Sequence, residues 1–165
     1  MSANGGETTA VRPKRIALVA SKGTLDLAYP PLILATTAAS MGWEAGIFFT
    51  FYGLDILHRR KNRKLKVPSL ANPAMPVPVP NFIGVLPGMT AVATHMMNGW
   101  MARAKMPDLP TFIEMARGMN VQFFACSTTM GVMGIREADL IDGARIAGAA
   151  AFLDFAASAD VQLFI

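Results

Sequence analysis

The sequence is poor in the residues that build cross-links and metal centres: 165 residues contain one cysteine, Cys126, and two histidines, His58 and His95. A single cysteine forms no intrachain disulfide, so the fold is not held by a disulfide framework, and such usage suits a reducing compartment. One thiol and two distant imidazoles would need added carboxylates to hold a metal, and no spacing supplies them; no metal is expected. There is no GxxxxGKS/T phosphate loop and no G-x-G-x-x-G after the first predicted strand, so no nucleotide cofactor is indicated. Residues 1–13 lack the apolar core of a signal peptide and read as a flexible tail, which leads to the expectation of a cytoplasmic protein.

Long apolar runs of the kind that cross a membrane, roughly 18 residues or more, are missing as well. The uncharged window Leu27–Trp43 is interrupted by Pro30 and Pro31 and diluted by Thr36, Thr37 and Ser40. The longer uncharged stretch Val67–Ala102 holds six prolines before Gly88. Peripheral membrane contact is the membrane reading left open. Charged residues make up only 16% of the chain, and the net charge of +4 is concentrated: His58–Lys66 carries six of the fifteen Lys and Arg residues. The rest is close to neutral. A nucleic-acid surface spreads its cations over a face and interleaves aromatics, so no nucleic acid is expected. The run reads as a solvated helix end, with an acidic docking partner as the alternative.

What the chain has in quantity is apolar surface. Hydrophobic residues make up 53% of it, with twelve Met, fourteen Gly and eleven Pro, and the mean hydropathy is +0.38. For one domain of this length the excess points to burial between subunits or against a membrane. Lys14–Ala20 is a short β-branched run that predicts a buried parallel strand. A helix follows from Thr24 or Asp26 toward Met41, with Pro30 and Pro31 expected to distort its first turns or delay it. Trp43–Phe51 predicts a second strand and Gly53–Lys66 a helix. Residues 68–80 are too rich in proline for regular structure. Residues 67–106 therefore read as a Pro/Met-rich insertion, helical from Thr90 to Arg103, in a single domain spanning 14–165. Asp108–Gly118 predicts a helix, Asn120–Cys126 a strand, Arg136–Ile141 a short helix, Ala144–Ala147 a strand, Ala149–Ser158 a helix and Asp160–Ile165 a last strand. Alternation of this kind defines an α/β fold of three layers, α/β/α, around a mainly parallel sheet of about five strands.

In such sheets ligands sit beyond the carboxyl ends of the strands. Cys126 falls there, as do Lys22, Gly23, Thr24 and Tyr52. A thiol at a helix entrance meets free N–H groups and the positive end of the dipole, both favouring the thiolate. Gly131 and Gly134 make the following segment a poor helix, so a loop whose N–H groups at Ser127, Thr128 and Thr129 cradle an anion is the alternative. Lys22 adds charge if it reaches across from a neighbouring strand end. A buried, inert cysteine is an equally good reading of these residues alone. His95 could serve as a base if the insertion folds over the strand ends, and Met130 could line a soft pocket with Tyr52, although methionines at helical spacing more often pack cores or interfaces.

Gly23-Thr-Leu-Asp26 with Ala28-Tyr-Pro-Pro31, Ile47–Leu54, Leu86-Pro-Gly-Met89, and Ala125–Ile135 with Asp139-Leu-Ile141 together resemble the DsrE/DsrF-like family, in its DsrE-type sulfur-carrier branch. The resemblance spans about Lys14 to Ile165. It implies homo-oligomers and transfer of sulfane sulfur among rhodanese-like, TusA-like and DsrE-like proteins, with Cys126 at the position of the sulfur-carrying cysteine. Cys126 would then hold sulfur as a persulfide or thiosulfonate, in a carrier or sulfurtransferase of sulfur oxidation or sulfur relay. Some members of the branch have a second cysteine later in the chain; its absence here argues against a relay within one subunit. A non-catalytic interaction protein, oligomeric or membrane-peripheral, with a structural cysteine is the competing reading.

Overall fold

The computed structural model describes residues 12–68 and 88–165. Nearly all of the expected tail, and the Pro-rich segment 69–87 with the first residues of the Leu86–Met89 motif, lie outside the described residues. Five strands form one all-parallel sheet in the order β4-β3-β2-β1-β5. They are β1 (Arg15–Ala20), β2 (Glu44–Phe49), β3 (Gln122–Cys126), β4 (Ala144–Ala147) and β5 (Val161–Phe164). The α-helices among the described residues are α1 (Leu25–Ser40), α2 (Leu54–Leu57), α3 (Met89–Arg103), α4 (Leu109–Gly118), α5 (Ser127–Met133) and α6 (Ala149–Ala157).

Both faces of the sheet are covered, which is why its inner strands are apolar without alternation. Ile16, Leu18 and Ala20 of β1 meet Leu32 and Ala35 of α1, with Leu54 and Leu57 of α2 and Phe112 and Ile113 of α4 in the same core. Ala17, Phe48 and Phe124 face the other way, against Phe152 and Ala156 of α6. The layers are thus α1, α2 and α4, then the sheet, then α6: the three-layer α/β/α arrangement. Gly46 in mid-β2 makes room for this second core, since a Cβ there would lie 2.5 Å from Cε1 of Phe155. The Phe155 ring in turn sits at 5.4 Å from Phe124.

Pro30 and Pro31 do not delay α1, which is helical from Leu25. Each lacks one ladder hydrogen bond, and burial of Ala28, Tyr29, Pro31 and Leu32 outweighs the loss. Two other expectations fail for one shared reason. The helix predicted over Gly53–Lys66 breaks into a 3-10 turn at Phe51–Gly53, the single turn of α2 and a second 3-10 turn at Asn62–Lys64. The helix predicted over Arg136–Ile141 shrinks to a 3-10 turn at Glu137–Asp139. Between them, His58 bridges Leu140 in antiparallel fashion, Arg59 N–H donates to Asp139 O at 2.9 Å, and Ile141 N–H donates to Leu57 O at 2.9 Å. Pairing between segments distant in sequence takes the backbone groups that each helix would have used. Among the described residues no helix is long and apolar enough to cross a membrane.

Candidate functional site

Cys126 is the last residue of β3 and the N-cap of α5. The weak helix does form, and Gly134, left-handed at φ 63°, ends it. The cysteine points to the α6 side with Phe124 and Ala147 and is only 7% exposed. One turn on, Thr129 Oγ1 lies 3.3 Å from Sγ. The Thr129 hydroxyl is itself 2.9 Å from Thr50 Oγ1. Thr50 arrives from the neighbouring strand: Phe49 of β2 is in register with Ala125 of β3, so the next residue lies beside Cys126.

Burial pushes the Cys126 thiol up, but the Thr129 hydroxyl and N–H, the Thr50 hydroxyl and the Thr128 N–H together outweigh it and hold the thiol below its ordinary value. Cys126 makes no side-chain capping hydrogen bond of full geometry, so the two N–H groups act as nearby dipoles. The result is a recessed sulfur that ionises to the thiolate, the nucleophilic form, more readily than an ordinary cysteine.

The other expected residues are dispersed. Ser127 and Thr128 are exposed beside the cysteine on the first turn of α5. Met130 is buried in the core on the opposite side of the sheet. Tyr52 is 66% exposed, in the 3-10 turn after β2. That turn packs against the β1 loop so tightly that a Cβ on Gly53 would stand 2.1 Å from Ala20 O. Lys22 is exposed and does not extend from a strand adjoining β3, because β2 lies between β1 and β3. Gly23 and Thr24 line a cavity of about 520 Å³ together with Arg60, Lys61, Lys64 and Lys66. Thr24 holds the N-cap position of α1, and among the described residues its buried hydroxyl has neither a capping bond nor another partner. Within the basic run Arg59 pairs with Asp142 at 2.6 Å and Lys61 with Asp55 at 2.7 Å. His95 is exposed on α3, and no hydrogen bond joins it to Cys126 among the described residues. No group of three or more His, Cys, Asp or Glu side chains among the described residues is arranged to hold a metal.

Thr50 is the residue that sequence reading missed. Its signal was present: a hydroxyl one residue past an apolar strand, once β2 and β3 are taken as neighbours. Thr129 was expected to contribute its N–H, and its hydroxyl also reaches the sulfur.

An open, all-parallel α/β sheet with a thiolate-favouring cysteine at a strand's carboxyl end defines a class of protein rather than one member. Residues 12–164 match the DsrE/DsrF/DrsH-like family, and the chain belongs to it. It is 41% identical over 158 residues to the sulfur carrier protein DsrE2 of Allochromatium vinosum, an alignment covering 92% of this chain and 98% of that protein. It is 32% identical over 162 residues to the uncharacterized protein YrkE of Bacillus subtilis, covering 92% and 97%. The crystal structure of the ychN protein from E. coli shares the fold, with a TM-score of 0.55 at 14% identity over 92% of this chain and 99% of that one.

Proposed function

We propose that the protein is a sulfur carrier that loads sulfane sulfur on Cys126. The observation that carries this reading is the strand-end sulfur with a hydroxyl directed at it and a thiol held below its ordinary value. The likeness to a protein named a sulfur carrier supports it. The Cys126 thiolate attacks a sulfane sulfur of polysulfide, a bond forms to Sγ, and the electron pair of the broken S–S bond departs on the leaving sulfur. With thiosulfate the same attack releases sulfite and leaves a persulfide. A thiosulfonate on Cys126 forms from tetrathionate, which releases thiosulfate and so carries its own oxidation. Thiosulfate alone would need a further two-electron oxidant.

With no second cysteine in the chain, the sulfur leaves to a partner or a small thiol. Rhodanese-like and TusA-like proteins are the partners that family membership suggests, and the carrier works as a homo-oligomer in the cytoplasm. Intact mass after exposure to tetrathionate or polysulfide tests the reading. The expected result is an adduct on the wild type, removed by reductant and missing from Cys126→Ser. An adduct that persists in Cys126→Ser, or none on the wild type, overturns it.

A second reading follows from the burial of Cys126 among Phe124, Phe152 and Ala147: an interaction protein whose cysteine is structural. It requires a thiol that reacts with reagents only on unfolding.

A further inference from the structure

We infer that Thr50 is a positioning residue for Cys126, acting chiefly by donating to Thr129 so that the Thr129 hydroxyl gives its proton to the sulfur. Its purpose rests on the sulfur-carrier reading; its test does not.

The argument is one of counting protons. A thiolate only accepts, so at 3.3 Å the Thr129 hydroxyl must give its single proton to Sγ. The 2.9 Å contact between the two hydroxyls then has to be donated by Thr50. In the neutral thiol the chain can run the other way, from S–H to Thr129 to Thr50. Thr50 as donor therefore supports the direction that suits the anion.

The surroundings keep the chain short and dry. Thr129 is 4% exposed, so water competes poorly for its hydroxyl. Thr50 is pinned by its backbone, with its N–H on Ala20 O at 3.0 Å and its carbonyl accepting from Gly53 N–H at 2.9 Å. Without Thr50, the Thr129 hydroxyl is a weaker donor, since hydrogen bonds in a chain polarise one another. It is also freer to turn back to a carbonyl of the preceding turn. Among the described residues, burial and hydrogen-bond donors rather than charged side chains shift the thiol. Of the flanking elements, β4 directs Arg145 over the Phe124 ring and to Gln122 Oε1, α6 keeps Asp154 at the exposed surface, and exposed Lys22 extends from beyond β2.

Because Cys126 is the only thiol, its titration can be read in the whole protein. Ultraviolet thiolate absorbance against pH, referenced to Cys126→Ser, gives the midpoint, and the rate of iodoacetamide alkylation against pH gives an independent one. Thr50→Val, which exchanges a hydroxyl for a methyl at nearly equal volume, is expected to move both midpoints up. Alkylation near neutral pH should fall by about threefold, the scale of one modest hydrogen bond. Thr50→Ser restores the wild-type profile. Thr129→Val has the larger effect, and adding Thr50→Val to it changes the profile less than Thr50→Val does alone.

An unmoved profile in Thr50→Val overturns the proposal, as does failure of Thr50→Ser to restore it, or an undiminished Thr50→Val effect in the Thr129→Val background. Should the valine variant lose its native circular dichroism, Thr50→Ala is judged by the same criteria. Failure of wild-type protein to take up sulfur would remove the carrier reading and leave the pH profiles to decide this one.

Discussion

Gly23 lies so close beneath Tyr52 that a Cβ there would stand 2.2 Å from the Tyr52 carbonyl oxygen. The contact is reciprocal, because Gly53 approaches the Ala20 carbonyl as closely from the other loop. The obstructing atoms are backbone, which cannot rotate away. We expect Gly53→Ala to lower stability by about 2 kcal/mol or more, the scale of overpacking, in urea unfolding. It should also raise the Cys126 titration midpoint, because Thr50 accepts from the Gly53 N–H that would be displaced.

Gly46 presents the opposite kind of obstruction. A Cβ there would meet the Phe155 ring, a side chain that can be changed. Gly46→Ala is expected to cost about 1–3 kcal/mol alone. Phe155→Leu should recover much of that loss in the double variant, giving a coupling energy well above the additivity error of about 0.5 kcal/mol. Denaturant midpoints of the four proteins in the cycle check this, and simple additivity would contradict it.

The Tyr29 hydroxyl donates to Pro107 O at 3.0 Å. Burial, with a smaller contribution from the Asp108 carboxylate, pushes its pKa up from 10.0 to about 12. A folded pKa above the unfolded one gives a contribution that is whole below pH 10 and is lost as pH rises toward 12. Tyr29→Phe should therefore be less stable by about 1 kcal/mol near neutral pH, for the lost hydrogen bond. The gap from wild type should close as pH climbs from 10 to 12. Stability measured for both proteins across that window tests the sign.

Asp139 works at the acid end. The Arg136 side chain, followed by its N–H, lowers the Asp139 carboxyl to about 2. Its contribution is present above the ordinary carboxylate range and disappears as pH falls through about 2. Asp139→Asn should thus match wild type at the lowest pH, begin to fall behind as pH rises through about 2, and trail by the full amount once pH exceeds the ordinary carboxylate value of about 4. Acid unfolding of the two proteins side by side shows whether the curves converge.

Much of this molecule could be read from composition and run length, and the parts that could not share a physical cause. Strands β1 to β3 are apolar runs of parallel-sheet type, so the sheet and the placement of Cys126 at a carboxyl end followed directly. Asp108, with its carboxylate accepting Thr111 N–H at 3.0 Å, announced α4 as a capping residue should. Residues 57–59 and 139–141 were misread because their backbone groups bond to one another, a long-range choice that local propensity does not record. Thr50 was missed for the same reason: its importance lies in which strand stands next to which. Lys22 was read at a strand end neighbouring Cys126, and the strand order sets β2 between them.

The depth of Cys126 has one more consequence. At 7% exposure Cys126 offers only a small part of its surface among the apolar side chains around it. On the sulfur-carrier reading, a sulfur added toward the open side of Sγ would stand about 2 Å further out, one S–S bond length. The empty protein would then offer little for a bulky thiol to touch, while the loaded one would put forward the single atom worth exchanging. Occupied and vacant forms would differ at the surface by their cargo alone, and a partner could tell them apart without any movement of the fold.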